Sequence, residues 1–414
     1  MRKLKKLIPE PLLSLYHLAL AFVGALLYQY PSRSIVVIGV TGTKGKSSTA
    51  EYVNAIFEAA GHTTAVAGSI RIKVGDVSEP NAGRSMPGRF FLQRFLRRAV
   101  DAQCDVAIIE MTSEGARQHR HRAIDLDALI FTNLAPEHIE SHGSLEKYAD
   151  AKYSIGMQLA RSAKRPRAMI ANANDAQSPR YLALPVEAAV GFSLSKQMPW
   201  STSENGGHFT YEGIDIRVHL PGEFSLNNAL AAAEVAHALG IDAAMIKKGI
   251  ENVTRIPGRA EEIDAGQNFK VVVDYAHTPD SLEALYKAYG NMRKICIVSS
   301  TGGGRDTWKR PVMGTVADTY CDLVIVTDED PYDEDPRAIM EAVASGMKRA
   351  PLIIADRRAA FAHAFENARE GDAVLITGKG TDAYIHGANG TNTPWSDAEV
   401  AREELAKLAH KITQ

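Results

Sequence analysis

The chain is short of several things that define whole classes of protein. Among 414 residues there are three cysteines, Cys104, Cys296 and Cys321, widely spaced and without a CxxC pair. That leaves no basis for a cysteine zinc site or a disulfide framework, and it fits a reducing cytoplasm. There is no basic excess either: 47 Lys and Arg stand against 49 Asp and Glu, a net charge of −2. Neutralising nucleic-acid phosphates needs such an excess, so no nucleic-acid partner is expected. Internal repeats and low-complexity tracts are missing. One long apolar run stands out, residues 12–28 (LLSLYHLALAFVGALLY), behind a basic start, MRKLKK. It sits at the short limit of a spanning helix, contains Ser14 and His17, and has no small-residue cleavage site before Pro31. As a span it would send the rest of the chain out of the cytoplasm. Two readings stay open: a helix packed on the following domain, or an interfacial membrane anchor.

What is present is a repeated strand-then-helix pattern. Residues 34–40 (SIVVIGV) are a β-branched run and predict a buried parallel strand. Residues 47–60 follow with Val53, Ile56, Phe57 and Ala60 at helical spacing and Gly61 as the stop. Residues 105–109, 128–131 and 168–171 read as further strands, and 227–239 as an Ala-rich helix closed by Gly240. Beyond Ile256-Pro257-Gly258-Arg259, which looks like a hinge, come strands at 270–273, 295–299, 323–327, 352–355 and 373–377. The expectation is an α/β protein: an apolar helix in 1–32, a central P-loop domain with a mostly parallel sheet in 33–256, and a Rossmann-like domain in 257–414. Ligands of such folds sit at the carboxyl ends of strands.

Between the first strand and helix lies Thr41-Gly42-Thr43-Lys44-Gly45-Lys46-Ser47-Ser48. Glycines there admit close backbone approach, and consecutive amides plus a helix N-terminus stabilise phosphate charge. Lys46 is placed for the β/γ-phosphates and the Ser47 hydroxyl for Mg²⁺. The strict Walker spacing fails by one residue, since five residues separate Gly39 from Gly45. The strand before and the helix after nevertheless make this a nucleotide-binding loop.

TGTKGKSS resembles the phosphate loop of the Mur ligases and folylpolyglutamate synthases. The resemblance extends in order through IEMTSEG, FTNLAPEHIESHG, YADAK, GEFSLNNA, IPGRAE, VDYAHTPDSL, GGGRDTWKRP, EDPYDEDP and TGKGTD. It is strongest to the Mur ligases that add the third stem-peptide residue. It implies a cytoplasmic, ATP-dependent ligase using two magnesium ions. Lys46, Glu110, His138 and Lys152 are implied as catalytic, with Ser47, Glu110, His138 and a carbamylated Lys152 holding metal. Asn228, Arg259 and Asp274 are implied near the nucleotide, the first of the family's two asparagines being replaced by Ser225. Ser113, Arg120, Asn133, Arg305, Asp330, Gly378 and Asp382 are implied at the substrates, a muramoyl-peptide carboxylate and an amino acid. His142 also matches, as a brace for its loop, and His277 as a helix cap or part of the ATP cleft.

Two departures qualify this. The family's diaminopimelate enzymes carry an arginine in a DNPR segment where this chain has Glu329-Asp330-Pro331-Tyr332. A phenol offers no bidentate charged fork, so lysine or another diamine, its amine met by Asp330, Asp333 or Asp382, becomes equally plausible. Fewer than forty residues precede the P-loop strand, too few for the family's UDP-sugar domain. The acceptor is then expected to be held by another protein, to be lipid-linked, or not to be a UDP-sugar. The rival readings are a folylpolyglutamate synthase, a poly-γ-glutamate ligase, an inactive membrane-bound scaffold and a nucleotide switch.

Overall fold

The computed structural model describes residues 9–81, 85–88, 90–137 and 139–412, which divide into two compact units. The first comprises residues 1–200, 209–217 and 226–253. A central strand of a parallel sheet is covered on both faces and therefore reads as a continuous apolar run. β1 (Val36–Thr41) is such a strand. It lies between β5 (Val106–Met111) and β6 (Ala128–Phe131) in an eight-stranded sheet of order β4-β3-β2-β5-β1-β6-β7-β8. β2 (Thr64–Ala67), β7 (Ala168–Asn172) and β8 (Ala188–Phe192) continue the parallel set. β3 (Arg71–Val74) and β4 (Val77–Pro80) add an antiparallel edge.

Helix α1 (Glu10–Leu27) precedes the sheet and is followed by a 3₁₀ turn at Pro31–Ser34, so β1 starts at Val36 rather than at Ser34. α2 (Lys46–Ala59), α3 (Phe91–Asp101), α4 (Ser113–Arg117) and α5 (Leu145–Ala160) come from the crossovers. α6 (Glu223–Ala238) and α7 (Ala243–Asn252) close this part of the chain. α7 packs on α2 with almost no space between backbones: a Cβ at Gly249 would fall 2.3 Å from the Ile56 Cα. A three-stranded sheet, β9 (Trp200–Ser203), β10 (Gly206–Tyr211) and β11 (Ile214–Val218), was not expected from the apolar pattern, because its strands are half polar.

The second unit comprises residues 201–208, 218–225 and 254–414. Its six-stranded sheet has the order β12-β13-β17-β14-β15-β16. The strands are β12 (Glu261–Glu262), β13 (Lys270–Asp274), β14 (Lys294–Val298), β15 (Leu323–Val326), β16 (Leu352–Ile353) and β17 (Ala373–Thr377), all parallel except β12. Strand alternation sends Val272, Cys296 and Val298 to one face, against α8 (Pro279–Ala288), α9 (Lys309–Tyr320) and α10 (Pro336–Ala344). Val271, Val273 and Ile297 go to the other, against α11 (Arg357–Glu366) and α12 (Asp397–Ile412). The turn at Ile256–Arg259 is built into this unit: a Cβ at Gly258 would fall 2.6 Å from the Thr381 nitrogen.

One expectation is overturned. Cys296 and Cys321 form a disulfide, with Cα atoms 6.1 Å apart. Cys296 lies on β14 and Cys321 at the end of α9, just before the adjacent β15; the crossover, not the sequence spacing, brings them together. Cys104 is a free, buried thiol.

Arg357 and Asp397 clamp α11 to α12 through Nε–Oδ1 at 2.8 Å and Nη2–Oδ2 at 2.7 Å, with side chains 2% and 0% exposed. Removing one partner strands the other charge in the interior. Asp397→Ala is expected to lower unfolding free energy by about 3–5 kcal/mol in denaturant titration; a loss below about 1 kcal/mol, the scale of a surface pair, would show the pair to be dispensable.

Candidate active site

The loop between β1 and α2 is shaped by what glycine permits. Gly42 (φ +145°) and Gly45 (φ +82°) occupy backbone regions that L side chains rarely adopt. A Cβ at Gly42 would fall 1.9 Å from Thr132 Oγ1, and one at Gly45 2.3 Å from Asn228 Oδ1. Side chains of the flanking elements hold the loop in return. Asn133 accepts from the Lys44 amide at 2.9 Å and donates to the Lys44 carbonyl at 3.2 Å. Thr132 donates to the Lys44 carbonyl at 2.6 Å, and the Thr43 hydroxyl meets the Tyr148 hydroxyl at 3.0 Å. Thr41 Oγ1 donates to the Met111 carbonyl at 3.0 Å, tying the loop's first residue to β5. Lys44 reaches Glu137 at 3.2 Å.

Two lysines converge inside this frame. Lys46 Nζ donates to the Gly42 carbonyl at 2.9 Å and the Thr43 carbonyl at 2.8 Å. Lys152, on α5 and 2% exposed, donates to the same Gly42 carbonyl at 2.6 Å. Burial, and then the neighbouring Lys46, push the Lys152 amine well below the ordinary lysine range.

Next to them stands an oxygen cluster. Glu110, at the end of β5 and 2% exposed, accepts from Ser47 Oγ at 3.2 Å, the Ser69 amide at 2.7 Å and Ser85 Oγ at 3.3 Å. Ser47 Oγ also meets Ser69 Oγ at 2.8 Å. Ser48 is buried in the first turn of α2. His142 is buried edge-on to Tyr148, with no hydrogen-bond partner for Nε2 among the described residues. Burial and then Arg117 hold its pKa below the usual imidazole value. Ser113 is buried at the start of α4, and Arg120 donates to Gln118 at 2.6 Å and to the Met86 carbonyl. His138 lies outside the described residues.

The remaining candidates belong to the second unit and form two groups. Asp274 accepts from the Ala260 and Ala276 amides, each at 2.6 Å, and burial raises its pKa. Arg259 lies over the Tyr275 ring at 4.7 Å, and His277 Nδ1 meets the Tyr275 carbonyl at 2.7 Å. Ser225 is turned inward to the Pro221 carbonyl at 2.7 Å. The second group surrounds Lys379, whose ammonium reaches both Asp330 oxygens at 2.8 and 2.9 Å and Asp382 at 3.3 Å. Burial outweighs that lysine and raises the Asp330 pKa. Gly378 (φ +109°) passes so close to Glu329 that a Cβ would meet its Oε2 at 2.6 Å. Tyr332 carries Arg305 over its ring at 4.9 Å and stacks on His386 at 5.3 Å. Asp330, Asp382 and His386 have the spacing of a cation site, but Lys379 already supplies the positive charge there.

Residues 40–236 match the Mur ligase middle domain, and residues 258–380 match the Mur ligase, glutamate ligase domain. A UDP-N-acetylmuramoyl-L-alanyl-D-glutamate--2,6-diaminopimelate ligase of Syntrophomonas wolfei subsp. wolfei is 35% identical over 382 residues, covering 88% of this chain and 77% of the relative. A UDP-N-acetylmuramyl-tripeptide synthetase of Roseiflexus sp. is 35% identical over 422 residues, covering 95% and 82%. The chain belongs to the Mur ligase family. It is thus an ATP-dependent ligase that forms carbon–nitrogen bonds. The solved structure of a UDP-N-acetylmuramoyl-L-alanyl-D-glutamate--2,6-diaminopimelate ligase superposes with a TM-score of 0.62 at 26% identity, covering 91% of this chain and 79% of that one. The folylpolyglutamate synthase of Mycobacterium tuberculosis complexed with ADP superposes with a TM-score of 0.70 over 88% of this chain and 92% of that one, but at 18% identity this likeness carries the fold alone.

Mur ligases use magnesium with ATP, and magnesium takes hard oxygen donors. Ser47 and Glu110 fit that requirement, with hydroxyl and carboxylate oxygens already adjacent. Lys152 as an ammonium does not fit, because it has no lone pair to give. Several residues beside the candidates in each unit escaped the sequence reading. Glu137, Tyr148 and Lys379 sit inside quoted motifs without a role assigned, whereas no spacing in the sequence points to Ser69 or Ser85. Gly45→Ala tests the glycine frame: ATP affinity by calorimetry is expected to fall at least about tenfold (~1.4 kcal/mol). Unchanged affinity would mean that the loop adapts and that the frame does not set nucleotide binding.

Proposed function

We propose that this Mur ligase joins a muramoyl-peptide carboxylate to an amino acid through an acyl phosphate, in the synthesis of the peptidoglycan stem peptide. The observation that carries the reading is the convergence of Lys46 and Lys152 on the Gly42 carbonyl, inside a glycine loop and beside Glu110 and Ser47. A substrate carboxylate oxygen attacks the γ-phosphorus of ATP and ADP leaves. The amine of the incoming amino acid then attacks the acyl carbon, phosphate leaves, and the amine gives up a proton. Lys46 and the loop amides take the charge of the transferring phosphoryl group, which is the main demand of such a reaction. Ser47 and Glu110 would hold one magnesium ion, and His138 with a carbamate on Lys152 a second; bound there, the ions would supply positive charge against the phosphoryl oxygens.

The depressed pKa of Lys152 supports the carbamate. Only an unprotonated amine can attack carbon dioxide, forming an N–C bond and releasing a proton. Asn133, Ser113 and Arg120 serve the acceptor, while Asn228, Arg259 and Asp274 serve the nucleotide. Arg305, Asp330, Gly378 and Asp382 serve the amino acid. Two carboxylates against the single Lys379 favour an amino acid with a second amine. The working division is an N-terminal helix, a central ATPase domain over 33–256 and a ligase domain over 257–414. The reaction draws on cytoplasmic ATP, and α1 rests on the inner face of the membrane, a reading supported by its exposed leucines.

Lys46→Ala is expected to abolish phosphate release in the presence of ATP, muramoyl peptides and an amino-acid panel, with thermal unfolding unchanged. Turnover above a few per cent of wild type would sink the loop assignment. Lys152→Ala is expected to be inactive and partly rescued by acetate or formate, whose carboxylate stands in for the carbamate. Full activity without rescue would remove the carbamate from the reading.

A further inference from the structure

α1 exposes an apolar stripe. Leu12, Leu15, Tyr16, Phe22, Val23, Leu26 and Leu27 recur at helical spacing along one stripe and are 43–67% exposed. Its polar side chains point the other way: Ser14 Oγ meets His119 Nε2 at 2.7 Å. Gly24 and Ala25 are buried, and a Cβ at Gly24 would fall 2.6 Å from the Phe90 ring. A helix that merely covered a soluble domain would turn the leucines inward and leave Ser14 and His17 in water. An exposed apolar stripe of this extent marks a surface that meets something apolar. No helix among the described residues is long and apolar enough to cross a membrane. The stripe therefore suits the headgroup boundary of a bilayer rather than its interior.

Beside the helix opens a cleft of about 430 Å³, bordered by Leu18, Phe22 and Tyr30 and by Arg33, Arg122 and Arg161. Phe22 belongs to both cleft and stripe, so the two share one surface. Three guanidiniums face a single carboxylate, Asp125, which is taken by Arg33 at 3.1 Å. His119, which also borders the cleft, is held below the usual imidazole value by burial and by Arg122. Arg122 Nε is buried with no hydrogen-bond partner among the described residues, and Arg122 Nη1 has only a long contact to Gln158 at 3.4 Å. We propose that the stripe of α1 and the Arg33–Arg122–Arg161 cleft together form a docking site for the phosphate headgroups of an anionic membrane. Guanidinium forks bind phosphate oxygens in pairs, and the leucines enter the acyl boundary alongside. The site extends the peripheral-membrane reading given above and rests on it.

Co-sedimentation of the full-length protein with phosphatidylcholine vesicles, with and without phosphatidylglycerol, tests the site. Preference for the anionic vesicles is expected. Arg161→Gln should weaken it about fivefold and Arg122→Gln/Arg161→Gln about fivefold more, with ligation in vesicle-free solution and thermal unfolding unchanged. Leu12→Ser/Leu15→Ser/Leu26→Ser should weaken binding to both kinds of vesicle. If the arginine variants bind like wild type while the leucine variant does not, the headgroup site is wrong and the membrane reading survives. If the intact protein binds neither vesicle, both fall. Binding of inorganic phosphate without vesicles, lost in the double arginine variant and accompanied by no vesicle binding, would make the cleft a soluble-anion site and overturn the lipid assignment.

Discussion

One carbonyl oxygen sets the terms for the ATPase unit. Gly42 O accepts from both Lys46 and Lys152, and two ammonium groups so close, one of them fully buried, cannot both keep their charge cheaply. Burial first, and then the neighbouring Lys46, push the Lys152 amine well below the ordinary lysine range. Everything around the carbonyl serves to keep it there. Gly42 has no side chain because Thr132 occupies that space, and Asn133 and Thr132 hold the following residues by their backbone. Glu110 lies at the carboxyl end of β5, paired in register with β1 so that Val40 stands opposite it, and Ser47 lies in the first turn of the helix that follows β1.

The second unit solves a different electrostatic problem. Glu329, Asp330 and Asp382 crowd around the Gly378 turn, and a buried lysine rather than solvent moderates them. Burial works to raise the Glu329 pKa, yet Lys379, the Thr301 hydroxyl, Arg357 and the Ser299 hydroxyl together bring it below the ordinary carboxylate value. Tyr332, in the left-handed region at φ +52°, turns its ring to Arg305 and His386. Stacked rings and a cation thus flank the Glu329–Tyr332 segment.

Much of this was legible in the residues. β1, β5, β6 and β17 are buried on both faces, so their apolar runs mark them to within a residue or two. The phosphate loop is legible because its glycines and lysines leave few alternatives between a strand and a helix. The β9–β11 sheet was not, since half of its side chains face water and its pattern resembles loop. The Cys296–Cys321 bond was hidden because contact across a crossover depends on strand order, which spacing does not encode. Which face of the N-terminal helix is covered was not legible either, because an apolar run does not encode it; in the structure Ser14 bonds inward to His119.

The close seat of α7 on α2 has a consequence for how the chain is made. The phosphate loop emerges from the ribosome early, but the helix behind it rests on Gly249, and Gly45 is fitted against Asn228. Some two hundred residues of synthesis separate the loop and α2 from Asn228 and Gly249. Through that interval the nascent chain holds an α2 face still open to water, even after Thr132 and Asn133 are in place to hold the loop. That α2 face therefore stays open to water until residue 250 or so has left the exit tunnel, and a translation pause before that point would expose it to chaperones.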